Sequence, residues 1–382
     1  MSFYQYYEFH TVDSTLSKED MKALRSVSSR AEITDTSFIN EYHFGDFKGN
    51  EMNFMKRWFD LHLHIASWGK RQLMIRVPKR LVERSALDPF LKGWGIFEVS
   101  DAGDNLILNF CYDEEDIEYY DDDWNSGPAQ LGGMATLRSD ILSGDWRALY
   151  LAWLWGVDNK YLIDEAKEPM PGIGPLNAPL KSFANFFRIN IDLVSAAAER
   201  PANVFSDSDA RSAAYAAIES MPDREKTNLL CRIVEGDPHA AVEVRRRVRD
   251  TISAGNSPVN RPLRTASELR ERAIAVQEER LTAERKEHKA EQKRQEIAAE
   301  KARLRRIETV RNKGDSAWRE IEDALKTRSG KSYDEAAQLL FDLKTVADDS
   351  GTTEEFFNRL LAIRRRHSKK IKFLERIENL RH

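Results

Sequence analysis

The chain has 382 residues, 59 of them Lys or Arg against 63 Asp or Glu, and its two cysteines, Cys111 and Cys231, lie far apart with no C-x-C or C-x-x-C spacing. That length predicts two or three domains with real apolar cores, and that cysteine usage excludes a disulfide framework and a cysteine-rich zinc site. The near-neutral total hides an asymmetry, since residues 1–130 carry about minus nine and residues from 261 onward about plus seven.

In chain order, residues 3–12 are rich in aromatic and β-favouring types and predict a first strand. Ser17 with Asp20 three residues on has the form of a capping box opening a short helix that turns Met21 and Leu24 inward. A second strand is expected within 33–44, where Phe38, Tyr42 and Phe44 share a face. The loop Gly45-Asp46-Phe47-Lys48-Gly49 leads into a helix expected over about 50–67, striped by Met55, Trp58, Phe59, His62, Ile65 and Ala66. Leu73, Ile75 and Val77 make a third strand, and 95–99 with 106–112 a hairpin. The order β-α-β-α-β-β-β predicts an α+β domain of mostly antiparallel sheet over 1–124.

The acidic run 113–123 marks a boundary, beyond which an all-α domain is expected over 125–254. Pro179, Asn190, Pro222, Gly236 and Pro238 stand where helix starts and stops belong. A linker over 255–265 precedes a long charged helix over 266–313, part of a proline-free run that reaches 326 and would span roughly 90 Å as one helix. One heptad row is apolar (Leu269, Val276, Ala283, Ala290, Ile297, Leu304), but the second carries Arg272, Glu279, Lys286, Lys293 and Glu300. The helix is therefore read as a solvated arm, or as a weak coiled coil with a partner or with itself, with Gly314 a candidate bend. A helical bundle over 314–382 follows, built from the arm's distal end and helices over 333–346 and 354 to about 380.

Few constellations point to chemistry. His62 and His64 would share a face and bind metal only on a strand; on the expected helix they diverge, leaving His62 in the core and His64 at the surface. Glu8, His10 and Tyr6 share a strand face, and backbone N–H groups of the glycine-bounded loop with Asp46 could receive a phosphate beside Lys48, although a tight turn explains both glycines. The acidic run lacks the spacing of a calcium loop. Asp164 with Glu165-Ala-Lys167 echoes a nuclease triplet only faintly. Arg245, Arg246, Arg247 and Arg249 cluster near one helix end; Arg364, Arg365, Arg366, Lys369, Lys370 and Lys372 do so near the C-terminus, with Arg365, Lys369 and Lys372 placed on one helical face. Either group could meet phosphates, an acidic partner, or only solvent. No nucleophile elbow, H-E-x-x-H or dinucleotide fingerprint occurs, and no cofactor is expected.

The stretches YYEFHTVD, GDFKG, MPGIGPLNAPLKSFANFFRINIDLVSAAAE and MPDREKTNLLCRIVEGDPHAAVEVRRR resemble a family of uncharacterised bacterial proteins, a resemblance that implies no activity. The segment 331–380 resembles the helical tail of bacterial SWIM zinc-finger proteins, without the zinc cysteines, and implies a shared docking module. The chain is thus expected to be a cytoplasmic, non-catalytic adaptor that docks a protein partner through its C-terminal helices. The most hydrophobic window, 149–157, is too short to span a bilayer, so no membrane partner is expected. Nucleic-acid binding through the basic faces is the alternative, and a metal-dependent hydrolase or nuclease using His62, His64, Glu8 or Asp46 a third.

Overall fold

The structure, a computed structural model, describes residues 4–91, 95–113, 127–200, 207–255, 262–327 and 329–380. It forms two compact units, Met1–Arg280 and Leu281–His382. An N-terminal antiparallel sheet is followed by an all-α region containing one long helix, as its sequence predicts.

The sheet has seven strands, β1 (Gln5–His10), β2 (Glu32–Ile33), β3 (Ser37–Tyr42), β4 (Leu61–Ala66), β5 (Arg71–Pro78), β6 (Phe97–Ala102) and β7 (Asn105–Tyr112), in the order β2-β3-β1-β4-β5-β7-β6. Its register puts Tyr7 opposite Asn40 and His64, and Phe9 opposite Phe38 and His62. Because side chains alternate across a strand, Tyr6, Leu63, Leu73, Leu108 and Phe110 share one face while Tyr7, Phe9, His62 and Met74 share the other. Two short helices, α1 (Lys18–Val27) and α2 (Glu51–Arg57), contribute Leu24, Phe54 and Met55 to the core on that second face. Ser17 forms the capping box with Asp20, and Asn50 caps α2 by accepting from the Asn53 N–H.

The helix expected over 50–67 is corrected, since it ends at Arg57 and residues 61–66 are a central strand. Leu-His-Leu-His-Ile-Ala fits a period of two as well as a helical stripe, and β4 finds backbone partners in both β1 and β5. Phe44, expected on the face of Phe38, lies beyond the end of β3 and is exposed.

After α3 (Arg84–Leu87) and the hairpin come α4 (Gly127–Met134), α5 (Leu137–Leu142), α6 (Arg147–Asp158), α7 (Ala178–Phe186) and α8 (Ile191–Ala198). Leu131, Ile141, Tyr150, Phe183 and Phe187 share one core with Tyr6 and Phe110, so the boundary drawn at 124/125 does not separate two cores. The acidic run lies outside the described residues except Asp113, whose carboxylate is 3.7 Å from the Lys70 ammonium. Helices α9 (Asp207–Ser220), α10 (Asp223–Val234) and α11 (Ala240–Gly255) complete this region, with Pro222 at the N-cap of α10.

Residues 256–261 of the expected linker are outside the described residues, but its end is fixed. Arg264 is buried and its guanidinium donates to both oxygens of Glu168, at 2.9–3.2 Å, and to the carbonyls of Ala196 and Ala197. The Glu168 side chain, 0 % exposed, also accepts from the Tyr150 hydroxyl at 2.5 Å and from the Arg264 backbone N–H at 3.0 Å. Thr265 then pairs with Lys167 and opens α12 (Ala266–Lys313), with Glu268 in a reciprocal cap. The proximal arm was expected to be solvated, yet Ala266, Leu269 and Ala273 are buried in the first unit, and Arg272 and Arg280 pair with Glu199 and Asp192. Solvation begins later, since every residue from 281 to 306 is exposed.

In the second unit, Ile307 and Val310 near the end of α12 are buried, and Arg306 and Arg311 pair with Asp342 and Asp349. Gly314, at φ +52° and ψ −125°, breaks the run before α13 (Asp315–Lys326). This is the expected bend, in a backbone region that side chains avoid. Gly314→Ala should destabilise the second unit by about 1–3 kcal/mol in urea unfolding, while the space around a Cβ there is open; an unchanged midpoint would show that the bend carries no backbone cost. Then come α14 (Gly330–Ser350), capped by Ser329 and ended by left-handed Gly351, α15 (Thr353–Arg366) and α16 (Ile371–Arg376). The single helix expected from 354 to about 380 is corrected, because it breaks at 367–370 so that Phe373, Ile377 and Leu380 turn into the core.

Candidate docking surface

The second unit is organised around α14. Ala317, Ile321 and Leu325 recur every fourth residue on α13 and pack on one side of it; Phe356, Leu360 and Ile363 of α15 pack on another. α13 and α15 meet through side chains. Asp315 pairs with Arg359 and Glu322 with Arg366, each 44 residues apart, so the two helices run parallel in register. Between these bridges Trp318 lies with its ring centroid 5.6 Å from that of Phe356 and 5.7 Å from the Arg359 guanidinium carbon.

A furrow is left on either side of Trp318. Toward Gly314 it is a cleft of about 390 Å3 whose apolar lining includes Val310, Leu343, Val346 and Phe356. The other cleft, about 490 Å3, lies between α13 and α15, lined by Ala362 and Ile363 with charged side chains above them. Glu322 holds this junction, accepting from Arg366 and lying 2.8 Å from Nε2 of His367. Burial pushes its carboxyl up, but His367 and Arg366 outweigh this and hold it below the usual range. Lys370 caps the Leu325 carbonyl.

The expected basic residues are therefore not equivalent. Arg366 and Lys370 are engaged within the bundle, whereas Arg365, Lys369 and Lys372 are exposed without an ion pair among the described residues. The helix break also means that these three do not share the one helical face that their spacing predicted. In the first unit, Arg246 donates to the Leu81 carbonyl, Arg247 pairs with Glu225 and Glu243, and a Cβ on Gly144 would stand 3.5 Å from Arg249; only Arg245 of that group is exposed.

Lys48 is exposed, but its loop is built as a turn. Gln5 donates to the Gly45 carbonyl and to Asp46, Phe47 stacks on Tyr7 at 4.8 Å, and a Cβ on Gly49 would meet the Phe47 ring at 2.5 Å. Asp164 pairs with Arg270, and Lys167 bridges to Thr265.

His62 and His64 require the largest correction. They share a strand face after all, and both are buried, so His64 is no surface residue. His62 stacks on Phe9 and His64 on Tyr7, each with centroids 4.0 Å apart. Burial pushes the His62 imidazole down to about 3 and that of His64 to about 2. Glu8 lies on the opposite face, its carboxylate accepting from Tyr6 and 2.8 Å from His10. Among the described residues no group of three or more His, Cys, Asp or Glu is placed to hold a metal ion.

Sequence reasoning missed the Trp318–Arg359 and Glu322–His367 contacts. Their signal was present in Asp315, Trp318 and Glu322, which stand on one face of an amphipathic helix at i, i+3, i+7. No family model matches the chain, and no curated protein or solved structure matches it. No helix among the described residues is long and apolar enough to cross a membrane.

Proposed function

We propose that this chain is a non-catalytic adaptor that holds a partner protein on its C-terminal helices. The observation that carries the reading is the open furrow beside Trp318, an aromatic and aliphatic floor under a charged rim, which is the anatomy of a protein contact. The resemblance of 331–380 to the helical tail of bacterial SWIM zinc-finger proteins supports the same use. The adaptor reading is preferred to a hydrolase because His62 and His64 serve as members of an aromatic stack, and it fits a cytoplasmic setting in which Cys111 and Cys231 are free thiols.

The test is purification of the full chain, tagged at its N-terminus, from its native host with nuclease treatment, beside a version lacking 315–382. A stoichiometric protein that survives nuclease and is lost with the deletion is the expected result. An unchanged set of companions would refute the reading. The second reading, nucleic-acid binding, draws on Arg365, Lys369 and Lys372 standing exposed. It predicts retention on duplex DNA or RNA that falls steeply with salt and disappears when all three become Glu.

A further inference from the structure

We infer that the furrow between α13 and α15 receives an acidic amphipathic helix of the partner protein; this rests on the adaptor reading and names the chemistry of what docks. Both helices pack on α14 and run parallel, so their outer surfaces bound a trough that follows the helix direction. Its floor offers Trp318, Ala362 and Ile363 to an apolar stripe. Most of its rim is paired. Glu322 is shared by Arg366 and His367, Asp323 is taken by Lys326, and Arg359 is held by Asp315 and Glu355. Arg319 on the rim is left without an ion pair among the described residues, and so is exposed Arg365, which stands outside the cleft's lining but three residues along α15 from Ala362. A helix with Asp or Glu beside its apolar stripe meets uncompensated positive charge there, while one flanked by Lys or Arg is repelled. The chain's own exposed helical stretch, 281–306, is a poor occupant, with about nine basic residues against five acidic.

The experiment labels the full chain with 5-fluorotryptophan and assigns the Trp318 19F resonance by Trp318→Phe. The probes are two synthetic 18-residue helices with the same leucine stripe, one flanked by Glu and the other by Lys. The Glu peptide should shift the Trp318 resonance, the Lys peptide should not, and Arg319→Glu with Arg365→Glu should weaken the Glu peptide at least about tenfold. Both substitutions are at exposed positions, and circular dichroism checks that the fold is kept. An equal response to both peptides, or indifference to the double substitution, overturns the inference. So does a Trp318 resonance that moves with protein concentration, which assigns the furrow to a second copy, or one that moves with duplex DNA or RNA in place of the Glu peptide. If the native companion is lost on deleting 315–382 but ignores the double substitution, the furrow inference fails and the adaptor reading stands; if the deletion loses nothing, the adaptor reading itself falls.

Discussion

Glu168→Ala is expected to destabilise the unit ending at Arg280 by about 3–5 kcal/mol, because it strands the buried guanidinium of Arg264 without its counter-charge. The Tyr150 hydroxyl loses its acceptor in the same step, and burial leaves it no water to turn to. Replacing both partners, as Glu168→Met with Arg264→Met, removes the stranded charge and should recover most of the loss. Urea unfolding of the three proteins measures the difference, with the transition of the second unit as an internal reference. A single variant as stable as the parent, or a double variant worse than the single, would show that the cluster does not hold this region together. Arg264 also carries the chain into α12, so the same substitution should raise amide exchange over 266–273.

Acid should weaken the first unit in a range where carboxylates are still ionised. In the unfolded chain His62 and His64 take up protons below about pH 6.5, but in the folded chain burial delays this to about pH 3 and about pH 2. The unfolded state therefore binds more protons throughout that interval, and stability falls as pH falls, by up to about 1.4 kcal/mol per pH unit for each histidine. At pH 5 the two together should cost on the order of 4 kcal/mol relative to pH 7. His62→Phe with His64→Phe keeps a ring in each stack and should flatten the dependence between pH 6.5 and 5. If the parent's urea midpoint is the same at pH 7 and pH 5, or if the double variant keeps the parent's slope, the histidines are not the groups responsible.

Much of the architecture was legible where local chemistry admits one solution. Ser17 and Asp20, Asn190 and Pro222 each mark a helix end that forms where they stand. Gly314 marks the break between α12 and α13 for the same reason. The misreadings fell where two periods fit equally well or where the deciding partner is distant. Residues 61–66 satisfy a helical stripe and a strand alternation together, and only pairing with β1 and β5 decides between them. The break at 367–370 contains neither proline nor glycine; the burial of Phe373 and Ile377 draws the chain round. Glu168 and Arg264 are 96 residues apart, and nothing local to either announces the other. The furrow was half legible, since the helices that bound it were expected in one bundle but their parallel register, set by α14, was not.

The exposed stretch of α12 leaves stability unevenly distributed along the backbone. Between 281 and 306 no side chain is buried, and its support is local, through pairs such as Glu291 with Arg294 and Glu300 with Arg303. Such a stretch opens with the small free energy of an isolated helix, whereas its two ends open only when the cores that hold them do. Backbone that gives way before either core thus lies in the middle of the longest helix among the described residues, and regularity there is no measure of strength.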